Sequence, residues 1–340
     1  MSSKKRVQPP QIISFAVTER CNARCTTCDL WKPCEKEELS ARECLSLLSQ
    51  LRAWSPYSVI NFTGGEPFVR SDFSEILTRA NNLGFYTTAI TNGIVFDAKH
   101  IDSILATGVN YLNFSINSID PDIHDSYKGI KGLHARIVEA TKYIRSRNNR
   151  VRICYSPVIT RDNYKTLNDF VLWARETGAD IVDFIPILSS FGHNVRVVGP
   201  AFAWAQDPLF KIEDLKELDR QIDLLIHKKK IGFPIVTPIY YLEKMKLYYR
   251  DPASVPPRKH CYIGLKNMYI LSNGDVKLCY YFPAIGNVRA QSLKEIWFGK
   301  TAQAQRQELF RCSRPCICSA LREYALRDKI SIFLMRARLL

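Results

Sequence analysis

Segments with the patterns of strands and helices alternate along residues 12–188 of this 340-residue chain, and this alternation limits the folds that it can adopt. Six short apolar segments have the strand pattern: 12–18, 58–63, 85–91, 111–117, 151–159 and 181–188. Helical spacing of apolar residues lies between them at 38–51, 71–83, 98–106, 133–147 and 163–176. Strands joined through helices run parallel, with right-handed crossovers. We therefore expect an α/β fold, either an open sheet or a barrel, although two units are missing for a closed eight-unit barrel.

The alternation ends near residue 190, where the composition changes. Glycine and proline interrupt 191–208, charged helical segments follow at 211–230 and 238–249, and prolines cluster at 252–257. We expect a core over 11–190, a helical linker region over 191–255 and a smaller cysteine-rich domain over 256–318. Residues 1–10 have the composition of a disordered basic arm, and 319–340 have the pattern of a basic amphipathic helix.

The chain carries 48 lysines and arginines against 33 aspartates and glutamates, a formal net charge of +15. Such a charge suits an acidic partner such as nucleic acid, an acidic peptide or anionic lipid, or simply a solvated basic surface. The basic residues are spread along the chain without an aromatic-interleaved module, so we favour the solvated surface and expect no nucleic acid. Segment 319–340 suits either peripheral membrane contact or a cover for the open edge of the fold, and we favour the cover.

Eleven cysteines are present, and their spacing is typical of ligands rather than disulfides. Residues 1–9 lack the apolar stretch of a signal peptide, and no apolar run is long enough to cross a bilayer. We therefore expect a cytoplasmic protein, in which thiols stay reduced. Cys44 falls in a predicted helix and Cys154 in a predicted strand, so we expect both to be small core side chains.

Three cysteines follow the first predicted strand within eight residues. Cys21, Cys25 and Cys28 have the spacing C-x3-C-x2-C, and a loop this short can wrap three thiolates around one four-iron cluster. Three protein ligands leave one iron open to another molecule, as catalytic metal sites do. A zinc loop and a Cys25/Cys28 redox pair are the alternatives that the loop alone leaves open.

A second motif, Gly64-Gly65-Glu66-Pro67, closes the second predicted strand. Glycines allow the backbone to approach a ligand closely, and a glutamate can accept hydrogen bonds from an ammonium group. In isolation this is a common turn. Its place at the carboxyl end of a strand puts it at the same edge of a parallel sheet as the cysteine loop. Thr91-Asn92 closes the third strand and could line the same cavity.

The cysteine loop and the Gly-Gly-Glu turn together resemble the radical S-adenosyl-L-methionine (SAM) superfamily. The resemblance implies a partial (β/α)6 barrel and a [4Fe–4S] cluster held by Cys21, Cys25 and Cys28. It also implies SAM bound with its methionyl amino group at the residues Gly64, Gly65 and Glu66.

The same resemblance implies further SAM contacts around the ends of later strands. Ser115 and Asn117, on one face of the fourth strand, resemble the polar SAM contacts of the family, and ordinary strand polarity is the alternative. Pro186 resembles the apolar adenine contact, and core packing is the alternative. Thr27 departs from the family pattern, since many members have an aromatic residue just before the third cysteine. Residues 124–129 resemble a segment frequent after the fourth strand in peptide-modifying members, and we expect a surface loop there.

A second group of cysteines lies near the C-terminal end: Cys261, Cys279, Cys312, Cys316 and Cys318. Asn273-Gly274 predicts a hairpin that brings Cys261 and Cys279 close together. The spacing Gly274-x4-Cys279, with the gap after Cys261, resembles the auxiliary-cluster domains called SPASM and twitch. This resemblance implies one auxiliary iron–sulfur cluster of the [4Fe–4S] type. Structural zinc is the alternative, because four thiolates suit zinc too.

The radical SAM resemblance implies an enzyme that reductively cleaves SAM to a 5′-deoxyadenosyl radical, which abstracts hydrogen from a substrate. It implies an electron donor such as flavodoxin or ferredoxin, and an auxiliary cluster that assists electron transfer or substrate binding. The substrate stays open between a peptide or protein and a metabolite or lipid-linked molecule; the lack of an evident leader-binding segment argues against a peptide. The alternative from another class is a non-catalytic iron–sulfur or zinc protein that binds nucleic acid, and the Gly-Gly-Glu turn argues against it.

Overall fold

The computed structural model describes residues 7–32, 37–147, 150–188, 203–205, 207–257 and 259–317. The strands are β1 (Ile12–Thr18), β2 (Val59–Gly64), β3 (Tyr86–Thr91), β4 (Tyr111–Phe114), β5 (Arg152–Tyr155), β6 (Val158–Ile159), β7 (Ile181–Val182), β8 (Ile185–Pro186), β9 (Asn267–Ile270), β10 (Asp275–Lys277) and β11 (Gly286–Asn287). The helices of the core are α1 (Ala41–Trp54), α2 (Phe73–Asn82), α3 (Ala98–Ala106), α4 (Pro121–Lys128), α5 (Leu133–Ser146) and α6 (Leu167–Glu176). Those that follow are α7 (Leu215–Lys230), α8 (Ile239–Arg250), α9 (Ile263–Lys266), α10 (Leu293–Phe298) and α11 (Lys300–Phe310).

The strands form one long mixed sheet in the order β11-β10-β9-β1-β2-β3-β4-β5-β7, and β6 pairs with β8 apart from it. Strands β1 to β5 and β7 run parallel, each next to its predecessor in the sheet, as helix-linked crossovers require. The predicted α/β fold is confirmed. The carboxyl ends of these strands meet at one edge, which is where the cysteine loop and the Gly-Gly-Glu turn lie.

The two faces of the sheet differ in character because side chains alternate along a strand. On one face, buried Phe62 of β2 meets Phe73 of α2 edge to face, with ring centroids 5.4 Å apart. On the other face the Thr88 hydroxyl of β3 donates a hydrogen bond to the Asn61 side-chain oxygen of β2 (2.6 Å). The Ser156 hydroxyl, just after β5, donates in the same way to Asn113 of β4 (2.6 Å). The face away from the helices therefore carries polar side chains.

The later strands are shorter than predicted. The fourth strand ends at Phe114 instead of residue 117, so Ser115 and Asn117 follow the strand and do not share one of its faces. The predicted strand 151–159 divides into β5 and β6 at Pro157, which has no N–H to donate to a neighbouring strand. The predicted strand 181–188 likewise divides into β7, in the main sheet, and β8, which pairs with β6.

The predicted surface loop at 124–129 is wrong, because this segment lies mostly in helix α4. The Asp120 carboxylate accepts a hydrogen bond from the Asp122 N–H (2.9 Å), Pro121 occupies the first turn, and Gly129 ends the helix with a φ of +68°. These are the residue types that start and stop helices. His124 is completely buried, so this helix packs into the fold instead of lying on its surface.

The C-terminal region is continuous with the core sheet. Strand β9 pairs in parallel with β1, and the predicted hairpin is present as antiparallel β9 and β10, with Gly274 at a φ of +86°. The buried Trp297 side chain of α10 donates a hydrogen bond to the Gln8 carbonyl (3.0 Å). The Arg289 guanidinium donates to the Glu43 carboxylate of α1 (2.7 Å). The predicted disordered arm over 1–10 is therefore wrong for Gln8, which is anchored to α10, and residues 1–6 lie outside the described residues.

Several other predictions can be compared with the described residues. Ser40 caps α1 as predicted, in a reciprocal capping box with Glu43. Cys44 and Cys154 are buried in the core. None of the helices in the described ranges is both long enough and apolar enough to span a membrane. Cys34, Cys318, segment 191–202 and the predicted C-terminal helix at 319–340 lie outside the described residues.

Candidate cluster and cofactor site

The cysteine loop starts at the end of β1 and is hydrogen-bonded to the Gly-Gly-Glu turn. The Gly65 N–H donates to the Thr18 carbonyl (2.8 Å), and the Glu66 N–H donates to the Arg20 carbonyl (2.9 Å). A Cβ at Gly65 would stand 2.2 Å from the Arg20 carbonyl oxygen, and one at Gly64 would stand 2.1 Å from that of Thr18. The glycines thus allow the turn to lie against the cysteine loop, a contact within the chain that the sequence does not reveal.

Helix α4 holds the other side of the cysteine loop. The Arg24 N–H donates to the Lys128 carbonyl (3.1 Å), and the Thr26 N–H donates to the Tyr127 carbonyl (3.0 Å). The last carbonyls of a helix have no partner within it and are free to accept such bonds. The loop is therefore fixed between the end of β2 and the C-terminal end of α4.

The three cysteine thiols share a partly buried, crowded environment. Burial raises the pKa of Cys28 to about 11, and the neighbouring Cys25 and Cys21 thiols contribute to the rise. The pKa of Cys21 is also raised, first by burial and then by Glu66 and Cys25. Three clustered thiolates are unfavourable without a cation, and bound iron would supply the compensating positive charge. This donor set fits an iron–sulfur cluster.

Among the described side chains, no three histidines, cysteines or carboxylates are close enough together to hold a single metal ion. In a cluster each cysteine binds a different iron atom, so its thiols stand farther apart than the ligands of one ion do. Two hydrogen bonds to sulfur orient the loop. The Leu30 N–H donates to Cys28 Sγ (3.4 Å), and Asn92 Nδ2 donates weakly to Cys21 Sγ (3.9 Å).

Glu66 is 1% exposed and bonds to the ends of two neighbouring segments. Its carboxylate accepts hydrogen bonds from the Asn92 N–H (2.6 Å), the Thr91 hydroxyl (2.9 Å) and the Phe68 N–H (3.2 Å). Burial raises the pKa of Glu66 to about 7, against the effect of these three donors. An ionised carboxylate has about four acceptor positions, so one is left for a ligand ammonium. Its SAM contact stays a prediction.

Asn92 contacts the cysteine loop, as expected of a residue lining the same cavity. Its side-chain Nδ2 donates to Asn22 Oδ1 (2.9 Å), and its Oδ1 accepts from the Ile94 N–H (2.9 Å). The Thr91 carbonyl next to it accepts from the Ser115 N–H (2.9 Å), which places Ser115 beside the end of β3. Ser115 is thus close to the residues that hold Glu66.

The other two predicted SAM contacts are engaged within the fold. Asn117 is buried, its side-chain oxygen accepts from the Val158 N–H (3.3 Å), and its carbonyl accepts from the Asn163 side chain (2.6 Å). Pro186 is buried in β8, opposite Ile159 of β6. Their roles in SAM binding stay predictions, and the structure supports the alternative of local packing equally well.

The second cysteine group comes together in the C-terminal region. Cys261 precedes α9, Cys279 follows β10, and Cys312 and Cys316 follow α11. Burial raises the pKa of Cys279 to about 12, and the thiols of Cys316, Cys261 and Cys312 contribute to the rise, in that order. Cys279 thus interacts electrostatically with three of the other predicted auxiliary ligands, and Cys318 lies outside the described residues.

Sequence reasoning assigned no role to Lys128, which the structure places at the site. Its side chain is 6% exposed, and its ammonium interacts electrostatically with both Cys28 and Glu66. The helix-stop signal at Gly129, with Asp120-Pro121 as the start signal, could have predicted α4 and placed Lys128 on its last turn.

Comparisons with known families and proteins agree with this geometry. A family model described as the radical SAM superfamily matches residues 15–174, and SPASM, described as an iron–sulfur cluster-binding domain, matches residues 261–320. The PqqA peptide cyclase of Xanthomonas axonopodis pv. citri is 25% identical over 298 residues, which cover 85% of this chain and 74% of that protein.

Solved structures share the fold. Streptococcus suis SuiB bound to S-adenosylmethionine aligns with a TM-score of 0.67 at 16% identity, over 88% of this chain and 68% of SuiB. Native anSMEcpe with bound AdoMet aligns with a TM-score of 0.65 at 15% identity, over 89% of this chain and 84% of anSMEcpe. The SPASM match selects iron–sulfur over zinc for the second cysteine group. The chain belongs to the radical SAM superfamily, whose core binds a [4Fe–4S] cluster and SAM, and it carries an iron–sulfur cluster-binding SPASM domain.

Proposed function

We propose that this chain is an enzyme that reductively cleaves SAM and abstracts hydrogen from a peptide substrate. The observation that carries the proposal is the loop of Cys21, Cys25 and Cys28, fixed at the carboxyl edge of the sheet beside Glu66. Cys21, Cys25 and Cys28 would hold a [4Fe–4S] cluster, which would supply the electron for reductive cleavage of SAM to methionine and a 5′-deoxyadenosyl radical.

The residues of the chain would bind, orient and shield the reactants. Glu66 has an acceptor position for the methionyl ammonium of SAM, and Ser115 lies beside the same strand ends. The loop contacts on both sides would keep the thiols in place for the cluster. Exclusion of water from the cavity would protect the radical until the substrate reacts.

A peptide is the substrate class with most support. Relatives that cover most of this chain are PqqA peptide cyclases, and SuiB has been solved with its precursor peptide SuiA. The polar face of the sheet, with Asn61, Thr88 and Asn113, offers partners for the amide groups of a peptide. These observations outweigh the sequence-based argument against a peptide.

The Cys261, Cys279, Cys312 and Cys316 group would hold an auxiliary cluster that takes up an electron from the substrate radical or positions the peptide. The net charge of +15 suits an acidic electron donor such as flavodoxin or ferredoxin. Peripheral membrane contact through segment 319–340 is a separate proposal that liposome flotation of the full chain would test.

The test is anaerobic turnover of the reconstituted full chain with SAM, dithionite and peptides whose genes adjoin its own. We expect one peptide to stimulate 5′-deoxyadenosine formation and to lose hydrogen in its mass spectrum. Perdeuteration of that peptide would transfer deuterium into 5′-deoxyadenosine. Stimulation by a sugar or a lipid-linked molecule, with no response to any peptide, would contradict the proposed substrate class.

A further inference from the structure

A lysine side chain is buried against the cysteine loop. Lys128 is the last residue of α4, and its side chain is 6% exposed. Its carbonyl accepts the Arg24 N–H (3.1 Å), and the preceding Tyr127 carbonyl accepts the Thr26 N–H (3.0 Å). Two backbone hydrogen bonds therefore fix the Lys128 backbone beside the loop, and burial keeps its side chain away from solvent.

The charges around this ammonium are those of the candidate cluster site. Burial raises the pKa of both Cys28 and Glu66, and the positive charge of Lys128 opposes that rise in each. His124, one turn earlier on α4, stays neutral, because burial first, and then Lys128 and His134, lower its pKa to about 2. Within the described ranges, no carboxylate forms an ion pair with Lys128.

A buried ammonium without an ion-pair partner costs free energy unless an anionic group lies opposite. An iron–sulfur cluster on three thiolates is such a group, and reduction adds one more negative charge to it. Net charge and nearby hydrogen bonds are the means by which proteins set cluster potentials. A fixed positive charge beside Cys28 would favour the reduced state.

We propose that Lys128 is a positioning residue that raises the reduction potential of the cluster at Cys21, Cys25 and Cys28. This inference rests on the proposed function, since it takes these cysteines as the ligands. It concerns the cluster itself and therefore holds in the absence of SAM. It assigns Lys128 a role in how readily the electron donor reduces the enzyme.

The experiment is an EPR-monitored redox titration of the reconstituted full chain without SAM. The relevant cluster signal is identified beforehand as the one that changes when SAM is added. The variants are Lys128→Met and Lys128→Gln, which remove the charge, and Lys128→Arg, which keeps it. Lys131→Met is the matched control, because Lys131 is exposed and lies in the turn after α4.

We expect both uncharged variants to have a more negative potential, with the reduction equilibrium at least about tenfold less favourable, or about 59 mV for one electron. Lys128→Arg and Lys131→Met should titrate close to the wild type. Loss of the cluster from both uncharged variants, with retention in Lys128→Arg and Lys131→Met, would also support the proposal, because the charge would then be needed to hold the anionic cluster.

An unchanged potential in Lys128→Met with full iron content would overturn the proposal. Weakened SAM binding at that unchanged potential would also overturn it, since Lys128 would then serve the carboxylate of SAM. A wild-type chain with no reducible cluster at these cysteines would overturn the proposed function as well. The two failures are distinguishable, because the first leaves the wild type with a reducible cluster whose signal responds to SAM and the second does not.

Discussion

At the scale of single residues, Glu66 shows how one buried carboxylate joins several parts of the site. It connects the Gly-Gly-Glu turn to the end of β3 through Thr91 and Asn92, and Asn92 in turn contacts the cysteine loop. The Glu66 carboxyl resists ionisation because burial raises its pKa by more than its three hydrogen-bond donors lower it. A ligand ammonium at the remaining acceptor position would stabilise the ionised form.

This predicts a pH dependence of stability for the cluster-free protein. Glu66 has a pKa of about 7 in the fold, whereas the unfolded carboxyl ionises near 4.5. Between these values the folded state binds more protons, so the free energy of unfolding falls as pH rises, by about 3 kcal/mol at most. Urea unfolding of the wild type and Glu66→Gln across this pH range measures the fall in the free energy of unfolding. Equal pH slopes in the two proteins would contradict the account.

The sequence alone identified the residues of the site better than their contacts. The cysteine loop and the Gly-Gly-Glu turn follow from spacing and from their place after predicted strands, and both lie where expected. That Gly65 meets the Arg20 carbonyl, or that Lys128 interacts electrostatically with Cys28, depends on long-range packing. Local sequence carries no signal for such contacts.

At the scale of elements, the cysteine loop depends on the two segments that hold it. The Gly-Gly-Glu turn lies against its start, and α4 accepts hydrogen bonds from its middle. The loop has no regular structure of its own between these contacts. The position of the thiols is therefore set by neighbouring elements rather than by the loop.

Gly65→Ala should displace the loop, because the new Cβ would stand 2.2 Å from the Arg20 carbonyl oxygen. We expect reconstituted Gly65→Ala to bind about four fewer iron atoms per chain. Gly232→Ala is the control, since a Cβ there meets nothing within 4 Å, although its φ of +100° costs about 1 kcal/mol. Iron and sulfide analysis measures this loss, and full iron content in Gly65→Ala would contradict the prediction.

Elements with strong periodicity were predicted well, and irregular ones were not. Strand β1 has the predicted bounds, and α1 starts after its predicted cap. Helix α4 was missed because it is short and has few apolar residues, although its start and stop residues were present. The divided strands β5/β6 and β7/β8 follow from Pro157 and from pairing between distant segments, which local pattern does not encode.

At the scale of the whole molecule, strands next to each of the two cysteine sites belong to one continuous sheet. Strand β9 pairs with β1, the strand that leads into the cysteine loop, so the chain after residue 260 completes the sheet of the core. Arg289 bonded to Glu43 adds a contact between the same regions. The auxiliary site is therefore held in a fixed relation to the strand that carries the first site, as electron transfer between them would need.

The most direct test of the account is 5′-deoxyadenosine formation from SAM and dithionite by anaerobically reconstituted protein. The wild type is compared with Cys28→Ala and with Cys44→Ala, whose cysteine is buried in α1 away from both groups. We expect Cys28→Ala to fall to the background without enzyme, and Cys44→Ala to keep most of the wild-type activity. As much 5′-deoxyadenosine from Cys28→Ala as from the wild type would contradict the central claim that this loop holds the SAM-cleaving cluster.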